Sequence, residues 1–314
     1  MSSTPLCWLV VFVFLLDSHI VLLASTFNIQ LVVFYRIMSL INQTAWVVGG
    51  VGVVGRGITR GLLQAGATVI VNSRSQERLQ AVQENLDFPE RLITVHGSLL
   101  PGQSSFTVQE TLKQTKLHHV VAHGAVRWWA RPTAGTFENH YEFKAGCDES
   151  YSLNIKSSDT LLNMKLGEFG PSSSQLASLH LSAAQQLVPR LEGTSPTYTF
   201  VTGDGAGKPG GDRTAMGEIN SHHVWGLSAA LRHELTGSKV NCREIRVGLP
   251  VEYVDRPMSE AVGDLCAGLA AKPIDHGRVI QLDSAEEMER VMHEYHVDTD
   301  GSVKPIPHQM CDDQ

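Results

Sequence analysis

Residues 46–74 read WVVGGVGVVGRGITRGLLQAGATVIVNSR, and this stretch decides the fold. Trp46, Val47 and Val48 form a short β-rich run that stops at glycine. Gly49, Gly52 and Gly55 follow at G-x-x-G-x-x-G spacing, and Gly50, Gly52 and Gly55 also satisfy G-x-G-x-x-G. Ile58, Leu62 and Ala65 then share one helical face, and Gly66 stands where a helix C-terminus favours a left-handed residue. A second β-rich run covers residues 68–71. Strand, glycine turn, helix and strand in this order open a dinucleotide-binding unit. The turn needs glycine so that the chain can reverse tightly and a pyrophosphate can approach its backbone. The first free N–H groups of the helix then point at that anion. Glycine is common here, 28 of 314 residues, so the spacing alone carries little and its place between strand and helix carries the reading. Gly49, Gly50, Val51, Gly52, Val53 and Gly55 are the expected contacts on the pyrophosphate side.

The end of the second strand distinguishes the nucleotides. An NAD site places an acid there for the ribose 2′-hydroxyl. This chain has Asn72, Ser73, Arg74 and Ser75, with no acid before Glu77. An arginine flanked by amide and hydroxyl groups suits a 2′-phosphate, so NADP is favoured over NAD, and Asn72, Ser73 and Arg74 join the expected cofactor contacts. The competing role for Arg74 is at the next helix, which Ser75 is placed to open.

Composition excludes several classes. A net charge of −7 and a pI near 6.0 offer no basic patch for nucleic acid. Five scattered cysteines (Cys7, Cys147, Cys242, Cys266, Cys311) give neither a disulfide framework nor C-x-x-C spacing for zinc. The histidine pairs 118–119, 222–223 and 293/296 lack an acid or cysteine at useful spacing, so capping or surface roles are expected and no metal is assigned. Residues 6–16 are continuously apolar, Asp17-Ser18-His19 interrupts them, and residues 20–24 resume. This is about one bilayer thickness of helix, without the basic start of a secretory signal. Membrane anchoring through residues 6–35, with the globular part facing the cytosol, and an untranslated leader ahead of Met38 are the two readings. Both leave the folded part cytoplasmic.

Strand and helix patterns alternate onward, so the expected class is α/β, a doubly wound parallel sheet of Rossmann type in a single domain over residues 43–284. Further strands are expected at 92–95, 119–122, 197–202, 241–247 and 278–282. Helices are expected through Leu79, Val82 and Leu86, at 176–191, through Leu227, Leu231 and Leu235, and at 259–271. Residues 285–314 read as a C-terminal helix and a polar tail. Residues 126–175, with Trp128-Trp129, Cys147, Tyr151 and Ser172 to Ser174, carry no strong period and are read as an insertion. They leave the carboxyl edge of the sheet, where ligands of such folds bind.

Over roughly residues 43–282 the order of elements resembles the short-chain dehydrogenase/reductase family. The resemblance rests on VVGGVGVVG (47–55), VNSR (71–74), GLSAALRHEL (226–235) and Arg246-Val247-Gly248, which stands near the family's Ser-Pro-Gly turn. VVAHGA (120–125) stands where that family has its NNAG-like segment, which implies cofactor contacts at Ala122, His123 and Gly124. It also implies a homo-oligomer through the long helices 176–191 and 216–235, and a small carbonyl or alcohol as substrate. The family's chemistry uses a tyrosine and, one turn on, a lysine. Counting back from Gly226 places Gly217 and Ser221 there, and no Tyr-x-x-x-Lys occurs in the chain. Thr202 is the nearest stand-in for the carbonyl-orienting hydroxyl. His222 and His223 flank the lysine position, and imidazole is a side chain suited to general acid work. Three readings stay open: an atypical oxidoreductase, a catalytically inactive NADP(H)-binding sensor or regulatory subunit, and a degenerate copy. The oxidoreductase is the favoured one.

Overall fold

The computed structural model describes residues 39–86, 89–113, 115–123, 165–203, 215–248, 257–272 and 276–296. The expectations for the apolar start, for Gly124, for the tryptophan pair and for the polar tail lie outside the described residues.

Seven strands, β1 (Thr44–Val48), β2 (Thr68–Ser73), β3 (Leu92–His96), β4 (His119–Ala122), β5 (Thr197–Gly203), β6 (Asn241–Val247) and β7 (Val279–Leu282), form one sheet in the order β3-β2-β1-β4-β5-β6-β7. Every pairing is parallel. The helices between them are α1 (Val53–Gln64), α2 (Gln76–Asn85), α3 (Ser104–Thr111), α4 (Leu166–Leu187), α5 (Ala215–Glu234) and α6 (Pro257–Ala271), with α7 (Ala285–His296) after β7. The α/β class and the doubly wound sheet are as expected.

Alternate strand residues feed two cores, as a parallel sheet covered on both faces requires. Val47, Val71, Val121, Val201 and Ile245 pack with Ile58 and Leu62 of α1 and Val262 and Leu265 of α6. Trp46, Val48, Val120, Tyr198, Phe200 and Cys242 pack on the other face with Val108 of α3, Ala184 and Leu187 of α4 and Val224 of α5. On the first face the backbones of α1 and α6 nearly touch. A Cβ on Gly57 would lie 2.0 Å from the Ser259 carbonyl oxygen, and one on Gly263 would lie 2.0 Å from that of Gly57. This crossing closes only with glycine at both positions.

Some boundaries differ from the expectations. The long helix begins at Leu166 rather than 176, so the last ten residues assigned to the insertion belong to α4. It ends at Leu187, where Pro189 turns the chain into a short 3₁₀ segment, Val188–Arg190, because proline has no N–H to continue the ladder. Helix α3, eight residues long, carries no apolar stripe and was not anticipated; it docks through Val108 and a hydroxyl pair, Ser182 Oγ donating to Ser104 Oγ at 2.9 Å. Among the described residues no helix is long and apolar enough to cross a membrane, and no three His, Cys, Asp or Glu side chains gather as metal ligands.

Candidate functional site

The strand order reverses direction between β1 and β4, and open α/β sheets bind ligands in the crevice outside the carboxyl ends at that point. Val48 pairs with Ala122 there, and the His123 N–H donates to the Val48 carbonyl at 3.0 Å. The glycine turn at the end of β1 and the residues closing β4 therefore stand side by side.

Each glycine of the turn has its own role. Gly49 adopts φ 79°, the left-handed conformation that reverses the chain. A Cβ on Gly50 would meet the Val71 methyls at 2.8 and 2.9 Å, and one on Gly55 would sit 2.1 Å from the Gly49 carbonyl oxygen. Gly52 differs: its φ of −78° suits any residue, and among the described residues a Cβ there would meet only the Gly49 carbonyl oxygen, at 3.4 Å. Gly52 is the N-cap of α1, with no side chain capping the helix and no acid in the first turn. The α1 N-terminus, from Val53 on, thus offers donors to an outside anion. Arg56 Nε donates to the Val51 carbonyl at 3.2 Å and braces the turn.

At the end of β2, the Asn72 side chain is engaged inward. Its Oδ1 accepts from the indole N–H of the buried Trp46 at 3.0 Å, and its Nδ2 donates to the Gly97 carbonyl at 3.2 Å. Asn72 is a buttress of the loop. Ser73 Oγ accepts from the Ser75 N–H at 3.0 Å, and Ser75 Oγ caps α2 by accepting from the Arg78 N–H at 3.3 Å. With Ser75 as the cap, Arg74 is not the residue that opens the helix. Its guanidinium is pushed below its ordinary pKa by burial and by the neighbouring Arg78. The charge of Arg78 disfavours the charged form of Arg74, a cost that a bound anion would offset. Arg78, which the sequence reading passed over, adds to the expected set.

The histidines divide by role. His119 is buried at the amino edge: Thr197 Oγ1 donates to its Nδ1 at 2.9 Å, and its Nε2–H donates to Gln43 Oε1 at 2.5 Å. Burial pushes its pKa down to about 3. His118 Nδ1 accepts from the Thr44 N–H at 3.0 Å. Both are structural. Because His119 resists protonation when folded and titrates near 6.5 when unfolded, its contribution to stability is complete above pH 6.5 and declines below it. Urea unfolding at stepped pH should show the loss, with about 1.4 kcal/mol per pH unit from this one group between its two pKa values. His119→Gln should have a shallower slope by about one proton, and equal slopes would refute the assignment.

His123 stands at the carboxyl edge. Its Nδ1–H donates to the Val201 carbonyl at 3.4 Å, which leaves Nε2 as an acceptor, and burial lowers its pKa to about 4. His223 Nδ1–H donates to the Ser173 carbonyl at 2.6 Å and joins α5 to α4. His222 pairs with Glu218 at 3.2 Å on a side chain 59% exposed. Both histidines are thus engaged on the helices. Burial in the core pushes the Tyr198 hydroxyl far above the ordinary phenol range.

Thr202 lies at the end of β5, opposite Arg246 of β6. Its Oγ1 donates to Glu244 Oε1 at 3.0 Å. Glu244 is fully buried and also takes Ser228 Oγ at 2.9 Å, Arg232 Nη2 at 3.4 Å and Arg246 through Nε at 2.9 Å and Nη2 at 3.3 Å. The sequence reading missed this unit. Its signal was present: Arg243, Glu244 and Arg246 crowd a strand paired on both sides, and buried charges must be paired.

Residues 46–116 match the family model described as "NADP oxidoreductase coenzyme F420-dependent". No curated protein matches the chain. Among solved structures, the RhlG/NADP active-site complex of Pseudomonas aeruginosa superposes with a TM-score of 0.61 at 18% identity, covering 81% of this chain and 98% of that one. A short-chain dehydrogenase/reductase (glucose/ribitol dehydrogenase) from Brucella melitensis gives 0.58 at 15%, covering 78% and 96%. The 3-hydroxyacyl-CoA dehydrogenase type-2 of Mycobacterium avium gives 0.55 at 17%, covering 78% and 95%. The chain has the fold of the short-chain dehydrogenases/reductases.

Proposed function

We propose that this chain is an NADP(H)-binding oxidoreductase of the short-chain dehydrogenase/reductase type, acting on a small carbonyl or alcohol without the usual Tyr/Lys pair. The observation that carries the proposal is the uncapped α1 N-terminus behind Gly52, placed at the switch point of the sheet. The residues fit the nucleotide in two places. The backbone around Gly49, Gly50, Val51, Gly52, Val53 and Gly55 suits the pyrophosphate, and Arg74, just after β2, with Arg78 in the first turn of α2 suits a 2′-phosphate. Ala122 and His123 line the neighbouring strand end, and with Nδ1–H on the Val201 carbonyl the His123 Nε2 is the acceptor nitrogen of the ring. A bound nicotinamide supplies the hydride. The chain's residues orient it and exclude water. A homo-oligomer through α4 and α5 belongs to the same proposal; Leu166 and Leu181 of α4 stay exposed.

Titration of the protein with NADPH and, separately, NADH tests the cofactor. NADPH is expected to bind more tightly by about tenfold or more, since charge-assisted hydrogen bonds to the extra phosphate contribute about 1.5–3 kcal/mol. Arg74→Ala should erase most of that difference and leave NADH binding unchanged. Binding of neither nucleotide would overturn the reading, and a preference unmoved by the variant would remove Arg74 from it.

A further inference from the structure

Among the described residues, the Glu244 cluster carries more positive charge than its own neutralisation needs. Arg232 alone balances the carboxylate, with its Nη2 on Glu244 and its Nη1 donating to the Gly277 carbonyl at 2.8 Å. Arg246 is a second cation on the same acid, nearer the carboxyl end of β6. Its Nε and Nη2 both hold Glu244, and its guanidinium carbon lies 4.6 Å from the centre of the Trp225 ring. These contacts fix the plane of the group and occupy one of its edges. Nη1 has no acceptor among the described residues, and neither does the buried indole N–H of Trp225. The Arg246 side chain is 20% exposed, while Glu244 beneath it is fully buried.

A guanidinium held in one pose, with an open N–H edge and a surplus charge, recognises a planar anion at low ordering cost. Thr202 pairs with Arg246 across β5 and β6, and both donate to Glu244 Oε1, so hydroxyl and guanidinium stand on one carboxylate near the strand ends. Thr202 has one hydroxyl proton and gives it to Glu244, so toward a ligand its oxygen accepts and does not donate. Among the described residues, Arg246 Nη1, the Trp225 indole N–H and Arg232 Nε are the donors left without an acceptor around Glu244. We propose that Arg246, backed by Trp225, binds a carboxylate of the substrate, so that the substrate class is an oxo acid or hydroxy acid. The single surplus charge matches a monovalent carboxylate. This inference rests on the oxidoreductase reading for its reaction, but not for its binding site.

The test uses the full chain and a series of short 2-oxo acids, each beside its methyl ester. Acid binding is read by calorimetry with and without NADPH, and turnover by NADPH oxidation. The acids should bind or react about tenfold better than their esters, in keeping with one charge-assisted contact. Arg246→Gln should remove the difference, Arg246→Lys should restore part of it, and both should keep wild-type NADPH affinity. Equal behaviour of acid and ester, or a preference that survives Arg246→Gln, overturns the proposal. So does NADPH binding with no acid bound or turned over. Failure of NADPH itself to bind sinks the cofactor reading instead, and acid binding to the free protein then decides this one alone.

Discussion

Gly52→Ala should lose about tenfold to a hundredfold in NADPH affinity while unfolding at nearly the wild-type urea midpoint, and Gly55→Ala should lose stability first. The contrast follows from what each glycine faces. At Gly52 the backbone is in an ordinary extended conformation and a Cβ would make only an ordinary contact, at 3.4 Å with the Gly49 carbonyl oxygen, among the described residues, so a methyl group should strain little in the free protein. The space that methyl would take is where a pyrophosphate must approach the first amides of α1. At Gly55 a Cβ would lie 2.1 Å from the Gly49 carbonyl oxygen, 2.7 Å from the Gly50 Cα and 2.8 Å from the Gly49 carbonyl carbon. All three are backbone atoms of the turn, so relief requires α1 to move away from β1, where Ile58 and Leu62 are buried. Overpacking of a tight contact costs about 1–3 kcal/mol, occasionally more. Chemical denaturation and nucleotide titration of both variants separate the roles. If Gly52→Ala bound NADPH as tightly as wild type, the pyrophosphate would not lie at the α1 N-terminus.

The parts of this architecture that were legible in the sequence are those set by local pattern. A β-rich run meeting glycine at 49 and a stripe at Ile58 and Leu62 describe β1, the turn and α1 without reference to any distant residue. The start of α4 was not legible, because Gly167, Gly170 and Pro171 all read as helix breakers in a sequence with no stripe. There the Ser173 and Ser174 hydroxyls donate to the Gly170 carbonyl, at 3.1 and 2.8 Å. The α1–α6 crossing was equally hidden: the Gly57 and Gly61 spacing is visible, but its partner Gly263 lies some two hundred residues away. Asn72 shows the reverse difficulty. Its place beside Arg74 suggests a ligand contact, yet its amide is engaged by Trp46 and Gly97. Residue type and position agreed with a cofactor role, and only the packing of Trp46 against β2 distinguishes a buttress from a contact.

Glu244→Ala should be the most destabilising single change on this face of the sheet. The carboxylate is fully buried and satisfies hydrogen bonds from Thr202, Ser228, Arg232 and Arg246. Its removal leaves two guanidinium groups facing each other across a space with no acceptor, and breaking a buried pair from one side costs about 3–5 kcal/mol. Domains have only about 5–15 kcal/mol in total, so the variant should lie near its unfolding threshold at room temperature. Glu244→Gln keeps one oxygen for the two hydroxyl donors and loses the charge, and its cost should fall between wild type and alanine. Ser228→Ala removes one donor while the acceptor keeps its other partners, a loss of about 1 kcal/mol. Urea unfolding of the three variants checks this order, and a double-mutant cycle between Glu244 and Arg232 isolates their coupling. An alanine variant within about 1 kcal/mol of wild type would mean that water replaces the carboxylate freely. Helix α5 would then be held to the sheet by Val224 and its apolar neighbours alone. The expected large loss instead assigns part of that attachment to Ser228 and Arg232, one turn apart on α5, both reaching one acid on β6. The same acid fixes Thr202 and Arg246, so the strength of this attachment and the geometry of the proposed carboxylate corner should change together.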